Sequence, residues 1–327
     1  MILTKKRKAK LYKFFRVSKL PYLPFILGID PGNICNLRCP LCPTGKGDSG
    51  SKKNFMDFNL FRLVFDQLKD SLVEVDMFNW GEPLLNKDLT KMIRYVKGVN
   101  KSINIVTSTN LNIDNNNLLL ELLGSGIDKI IVSCDGAAKE SYSKYRVGGD
   151  FDLVMKNLRF LSEENKKAGN RVSVVWNFIV FKHNEHEVKD AREMAVRVGV
   201  PINIGLMRTS LKDEILKPHN ESIKKDREFI PDNPLYSAYD KSGLVTRKIL
   251  KTCKKPWNMI SVNSGGIVFP CCAVYEDAHG FGDVKKESIK NIWNNGKFIS
   301  ARREILNRNL PGSTICGACR NNGFMHM

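Results

Sequence analysis

The sequence predicts a parallel α/β fold, open sheet or barrel, on three observations. From Phe25 onward, strand-like runs rich in Val, Ile and Phe alternate with helix-like runs. Six such units can be counted, and the residues that follow the strand-like runs are unusually polar. In parallel α/β folds chemistry collects where strands end and loops lead into helices, so these ends are read as one set.

With 327 residues, 42% apolar and 26% charged, the chain suits one large globular domain and a small companion. No run approaches the roughly 20 apolar residues of a membrane span, and no signal-peptide core opens the chain; a cytoplasmic location is expected. The nine cysteines cannot all pair, and they gather at 35/39/42, 271/272 and 316/319. That pattern points to metal–thiolate chemistry rather than a disulfide scaffold. A net charge of +18, from 52 Lys and Arg against 34 Asp and Glu, favours an anionic partner or reflects a solvated lysine-rich face. Such a partner is a phosphate ester, an acidic glycan, nucleic acid or an anionic membrane surface.

Residues 1–20 are strongly basic, no acid precedes Asp30, and Leu11, Phe14 and Phe15 fall at helical i, i+3, i+4 spacing. Two readings stand, a basic helix lying on a membrane surface and a frayed tail whose Phe14 and Phe15 pack on the main domain. The shortness of the stretch favours the tail. Pro21 and Pro24 end any helix and begin an extended approach to the first strand.

Strands are expected at 25–30, 73–78, 103–106, 129–133, 172–180 and 202–207. The clearest helix follows Asp57, an N-cap residue, with Leu60, Leu63, Val64 and Leu68 on one stripe. Others are expected at 88–96, 115–123, 151–161 and 185–198. The strand ends then carry Asn79-Trp80-Gly81-Glu82-Pro83, Thr107-Ser108-Thr109-Asn110 and Ser133-Cys134-Asp135-Gly136, with Asn177 within the fifth strand and Arg208 after the sixth. Singly, such residues are ordinary caps and turns; gathered on one rim they suggest a site.

The first strand leads into Cys35-Asn-Leu-Arg-Cys39-Pro-Leu-Cys42, a C-x3-C-x2-C loop. Three thiolates from one short loop can hold three irons of a cubane and leave the fourth open, whereas a closed zinc site normally takes four protein ligands.

Together the cysteine loop, the Gly81-Glu82-Pro83 turn and the six βα units resemble the radical S-adenosylmethionine superfamily over about residues 25–210. The resemblance implies a partial (β/α)6 TIM-like barrel. It also implies that Cys35, Cys39 and Cys42 hold a 4Fe–4S cluster whose open iron is chelated by S-adenosylmethionine. Reductive cleavage would give a 5′-deoxyadenosyl radical that abstracts a substrate hydrogen, with an external reductant such as flavodoxin or ferredoxin supplying the electron. By position, Gly81 and Glu82 match the turn that binds the methionine amine, with Trp80 in place of the family's first glycine. Ser108, Thr109 and Asn110 match a polar end of the third strand. Ser133 and Asp135 match residues close to the ribose or methionine carboxylate, and Arg146 resembles an arginine that can reach that carboxylate. Leu41 stands where an aromatic usually flanks adenine. Cys134 is expected to be a buried small hydrophobe.

Between 211 and 250 the βα rhythm stops, and a linking segment packed on the barrel rim is expected, followed by a small C-terminal domain at 251–327. Its core is a β-hairpin at 260–272 around Gly265-Gly266, then a helix near 288–306. Cys253, Cys271, Cys316 and Cys319 make a four-thiolate set for a closed 4Fe–4S cluster or tetrahedral zinc, with Cys272 as an alternate ligand. This tail resembles the SPASM or twitch extension, down to Pro256-Trp257 after the first cysteine, and implies one auxiliary 4Fe–4S cluster.

The function expected is radical oxidation or dehydrogenation of a small or anionic substrate. A peptide-modifying maturase making a thioether or carbon–carbon cross-link is the alternative, although residues 1–24 are too short for a leader-binding domain. A reading from another class is a non-catalytic iron–sulfur or zinc protein carrying electrons. Asp283 and His279, expected near the second metal site, are the candidate general bases.

Overall fold

The computed structural model describes residues 2–48, 50–208, 226–239, 253–307 and 309–321. Six strands build the barrel wall: β1 (Ile26–Ile29), β2 (Glu74–Met77), β3 (Asn104–Thr109), β4 (Lys129–Ser133), β5 (Ser173–Val180) and β6 (Ile202–Leu206). Each pairs in parallel with the next, as the sequence predicts. Three more follow, β7 (Met259–Val262), β8 (Ile267–Phe269) and β9 (Gly282–Asp283). The strand order is β6-β5-β4-β3-β2-β1-β7-β8-β9, so the barrel is partial and does not close on itself.

The C-terminal hairpin is not a detached unit. Strand β7 pairs in parallel with β1 along its whole length, from Ile26 with Met259 to Ile29 with Val262, and β8 and β9 add antiparallel. The C-terminal region therefore shares a sheet with the strand that feeds the cysteine loop.

Side chains alternate across the wall with the period of 2 that a pleated strand imposes. Val75, Met77, Ile130, Val132, Trp176 and Phe178 are fully buried against the outer helices, while Asp76, Ser108, Ser133 and Asn177 face the interior half-buried. The outer layer is α3 (Phe58–Asp66), α4 (Leu89–Val99), α5 (Asn116–Leu123), α7 (Phe151–Lys167) and α8 (Val188–Val198), after a basic α1 (Ile2–Phe14) and a short α2 (Pro43–Lys46). Asp57 caps α3 as expected, accepting from the Asn59 and Leu60 N–H groups at 2.9 Å. The buried stripe of that helix is Phe61, Val64, Phe65 and, just beyond it, Leu68, with Leu63 exposed.

Several expectations are corrected. Strand β3 runs on to Thr109, so Ser108 and Thr109 lie in the strand rather than after it. A helix that the pattern missed, α6 (Lys139–Tyr145), precedes Arg146. The helix expected at 288–306 is two, α10 (Ile289–Trp293) and α11 (Gly296–Leu306), because Asn295 turns out of the first to cap the second, accepting from the Phe298 N–H at 3.1 Å. Helix α9 (Lys255–Asn258) precedes β7, and α12 (Ile315–Asn321) carries the last cysteines. Residues 1–20 are not a frayed tail, since α1 is formed, and Phe14 and Phe15 do not pack on the domain but stand exposed.

Of the linking segment, 211–225 and 240–250 lie outside the described residues. In its described part, Ile230, Ala238 and Tyr239 are buried in one cluster with Leu37, Cys39, Leu41 and Phe181, which lays this segment over the cysteine loop. The C-terminal region is bolted to residues 15–24 by Arg302. This buried guanidinium donates to the carbonyls of Pro256, Ser18 and Trp293, each at 2.8 Å, and stacks 4.3 Å from the Trp293 ring. Burial lowers its pKa to about 9. Neutral carbonyls satisfy it without an acid.

Candidate active site

Strand β1 delivers the chain to a tight loop. Cys42 donates its N–H to the Cys39 carbonyl at 3.1 Å, and Pro43 then starts α2, a position where its missing N–H is not needed. Gly45 lies so close to the Cys39 backbone that any Cβ there would collide with it. The three cysteines consequently point into one cavity of about 350 Å³, within the range of small-molecule sites.

The turn after β2 forms another wall. A Cβ on Gly81 would collide with the Gly32 carbonyl, and the Glu82 N–H donates to the Ile34 carbonyl at 2.9 Å. Gly81 thus permits close packing of this turn on the backbone leading to Cys35. Glu82 is buried and its carboxylate is fully engaged, accepting from Thr109 Oγ1 at 2.6 Å, Leu84 N at 3.0 Å and Asn110 N at 2.7 Å. Burial raises its pKa against these hydrogen bonds. Its side chain ties the β2 turn to β3 while remaining part of the cavity wall.

Ser108 and Ser133 face each other across β3 and β4, with their hydroxyl oxygens 3.2 Å apart in the cavity wall. Asn110 donates to Cys35 Sγ at 3.6 Å and to Asn36 Oδ1 at 2.9 Å. Arg146 lines the cavity, but it is held by Asp135, whose Oδ2 accepts from Nε at 2.7 Å and Nη2 at 2.6 Å. The Asp135 carboxylate also accepts from the Ile179 N–H at 2.7 Å and is fully buried behind the wall. Asp135 therefore positions Arg146, a change from the expectation that it reaches ribose or carboxylate itself. Arg146 Nη1 lies 4.0 Å from Cys39 Sγ. Burial pushes the Cys39 thiol up to about 11, opposed by that guanidinium. Burial likewise raises Cys35.

The apolar back wall escaped the sequence pattern. Tyr145 and Phe181 pack at a tilt with centroids 4.1 Å apart beside Leu37 and Leu41. Tyr142 and Tyr145, three apart ahead of Arg146, are the helical signal that would have placed Tyr145 there. Cys134 is fully buried, as expected.

The second thiol site comes together from three elements. Cys253, Cys271, Cys316 and Cys319 line one small pocket with Val274, Ile305 and Ile315. Cys272 is not in that wall. Its Sγ faces Lys255 Nζ at 3.9 Å, and its carbonyl accepts from the Asn79 amide at 3.0 Å. Burial pushes the Cys271 thiol up to about 12 and also raises Cys316 well above its ordinary value. No three ligating side chains among the described residues stand at chelating distance. The fit rests on donor chemistry, in that four thiols around an apolar pocket suit a thiolate-bound cluster whose binding releases their protons. At the barrel rim three thiols beside open space suit a cluster with one iron left for a small ligand. The two sites are bridged by the β2 turn, where Trp80 packs on Tyr275 with centroids 4.8 Å apart. Neither candidate base is in either wall; His279 pairs with Glu276 at 3.4 Å, and Asp283 caps the Lys285 N–H at 2.9 Å.

The chain belongs to the Radical SAM superfamily, whose sequence profile matches residues 29–215. Residues 253–320 match SPASM, an iron-sulfur cluster-binding domain. The family's cofactors are a 4Fe–4S cluster with S-adenosylmethionine, and the SPASM domain carries auxiliary iron–sulfur. More particularly, the chain is 25% identical over 291 residues to a GTP 3',8-cyclase of Clostridium botulinum, covering 83% of this chain and 86% of that protein. It is 30% identical over 237 residues to a probable GTP 3',8-cyclase of Methanococcus maripaludis, covering 71% of each. Its fold resembles native anSMEcpe with bound AdoMet, with a TM-score of 0.64 at 16% identity and 91% of each chain covered.

Proposed function

We propose that this enzyme oxidises a small anionic substrate held inside the partial barrel. One observation carries the reading: Arg208, just after β6, lines the same cavity as the three rim thiols and the Ser108 and Ser133 hydroxyls. A cation in the same cavity as a radical-generating centre can hold an anion with a C–H bond within its reach. The curated relatives named for GTP support a phosphate-bearing substrate.

In this reading Cys35, Cys39 and Cys42 hold the rim cluster, and Cys253, Cys271, Cys316 and Cys319 hold one auxiliary 4Fe–4S cluster. When bound, the rim cluster would supply the electron that cleaves S-adenosylmethionine to a hydrogen-abstracting radical, and the auxiliary cluster would accept the second electron released as the substrate is oxidised. Arg146, locked by Asp135 in the cavity wall, would hold the methionine carboxylate. Gly81 keeps the β2 turn close to the cysteine loop, and Tyr145 with Phe181 keeps water from the back wall. The basic surface suits an acidic reductant such as flavodoxin or ferredoxin.

Anaerobically reconstituted protein with strong reductant should release 5′-deoxyadenosine, faster with nucleoside triphosphates or sugar phosphates. Arg208→Gln should raise KM about tenfold or more while leaving substrate-free cleavage unchanged. No 5′-deoxyadenosine at all would overturn the enzyme reading. Stimulation by peptides and not by small anions would overturn the substrate class.

A further inference from the structure

The strongest unassigned feature lies away from both thiol sites, where α1 crosses α9 and the end of α11. A pocket of about 580 Å³ opens there. Six cations line it, Lys6, Arg7, Lys10, Lys13 and Arg16 from α1 and its turn and Lys254 from the edge of α9, and its wall contains no acid. The floor is apolar: Trp257, over whose ring Lys13 Nζ stands at 5.7 Å, and Leu306.

At the edge of this pocket, where Phe14 is itself part of the wall, the surface turns hydrophobic. Leu11, Phe14 and Phe15 are 53%, 78% and 65% exposed, and the two phenylalanine rings meet edge-on at 5.4 Å. These side chains stand on an ordered element. Arg16 adopts a left-handed backbone with φ of 57°, and the N–H groups of Phe15, Arg16 and Val17 bond back to Leu11, Lys13 and Tyr12, closing the helix end. Trp257 Nε1 donates to the Val17 carbonyl at 3.1 Å and Arg302 grips Ser18, so the turn is held on the folded body.

We propose that this face docks on an anionic lipid bilayer, with a lipid phosphate in the basic pocket and Leu11, Phe14 and Phe15 inserted at the headgroup level. Charge selects an anion, and the apolar side chains select a lipid surface over a soluble phosphate, because a soluble ligand in the pocket would leave Leu11 and Phe15, which lie outside its wall, in water. Although α1 has no amphipathic stripe along its length, its C-terminal turn sets leucine and aromatic side chains beside lysines and arginines, the grouping that seats at a headgroup layer. The inference is independent of the substrate reading, since the pocket shares no residue with the rim cavity.

The test is co-sedimentation of the reconstituted full chain with vesicles of phosphatidylcholine alone or with about one-third phosphatidylglycerol, at rising salt. The expected result is binding only to the anionic vesicles, weakened by salt. Lys6→Ser with Lys10→Ser should weaken it about fivefold per charge, the fold-change of ~1 kcal/mol per basic residue. Phe14→Ser with Phe15→Ser should weaken it about tenfold or more, while release of 5′-deoxyadenosine stays at the wild-type rate as a check of folding. No preference for anionic vesicles would overturn the proposal. So would undiminished binding by the Phe14/Phe15 variant, which points to a soluble phosphate ligand, or binding of single-stranded RNA with none to vesicles.

Discussion

The two thiol sites are built in opposite ways. Cys35, Cys39 and Cys42 come from one loop at the end of β1, and local backbone contacts such as the Cys42 N–H on the Cys39 carbonyl already aim them. Cys253, Cys271, Cys316 and Cys319 come from α9's approach, the end of β8 and α12, and meet only because β7 pairs with β1 and α11 docks through Arg302. The first site is a motif placed on a fold, whereas the second is a product of the fold. Damage to packing should therefore reach the second site before the first.

The largest effect belongs to the rim loop. Cys39→Ser should lower 5′-deoxyadenosine release about a thousandfold or more, because a cubane anchored by two thiolates is labile; near-normal turnover would break the contrast at once. Next is Arg146→Met, which strands the buried Asp135 carboxylate and should cost about 3–5 kcal/mol in urea denaturation. The double variant with Asp135→Asn should recover part of that loss, and simple additivity would show that the pair is not coupled.

A smaller effect separates neighbouring cysteines. Cys271→Ser should remove about half of the iron, whereas Cys272→Ser should leave about eight irons per chain, as its thiol faces Lys255 rather than the pocket. The reverse pattern would reassign the ligand.

The smallest effect is a pH slope at the base of the rim loop. Asp30 is buried, accepts from the backbone N–H groups of Trp80, Gly32 and Gly81, and leaves Oδ1 without a partner. Burial pushes its pKa from 3.8 to about 7, so between these values the folded state holds a proton that the unfolded state has released. Stability contributed by that proton falls as pH rises through this window and levels off above it. Asp30→Asn should flatten the slope of urea midpoints across the window, and parallel curves would contradict the assignment.

Much of this was legible because it is local. The period-2 burial of the strands, the Asp57 cap and the C-x3-C-x2-C loop are each written within a few residues. What escaped depends on distant partners. The engagement of Glu82 by Thr109 and Asn110 and the burial of Asp135 behind Arg146 are set by partners distant in sequence, and no spacing rule reveals them. The joining of β7 to β1 is a pairing across more than two hundred residues. Phe14 and Phe15 misled for the opposite reason, since hydrophobicity suggested burial and the fold offered them no cover.

Anaerobic iron and sulfide analysis coupled to 5′-deoxyadenosine release tests the two-site account most directly. About eight irons should fall to about four both in the Cys35/Cys39/Cys42→Ala variant and in the Cys316/Cys319→Ala variant, with cleavage of S-adenosylmethionine abolished only in the first. Cleavage surviving in the first variant, or iron unchanged in the second, would contradict it.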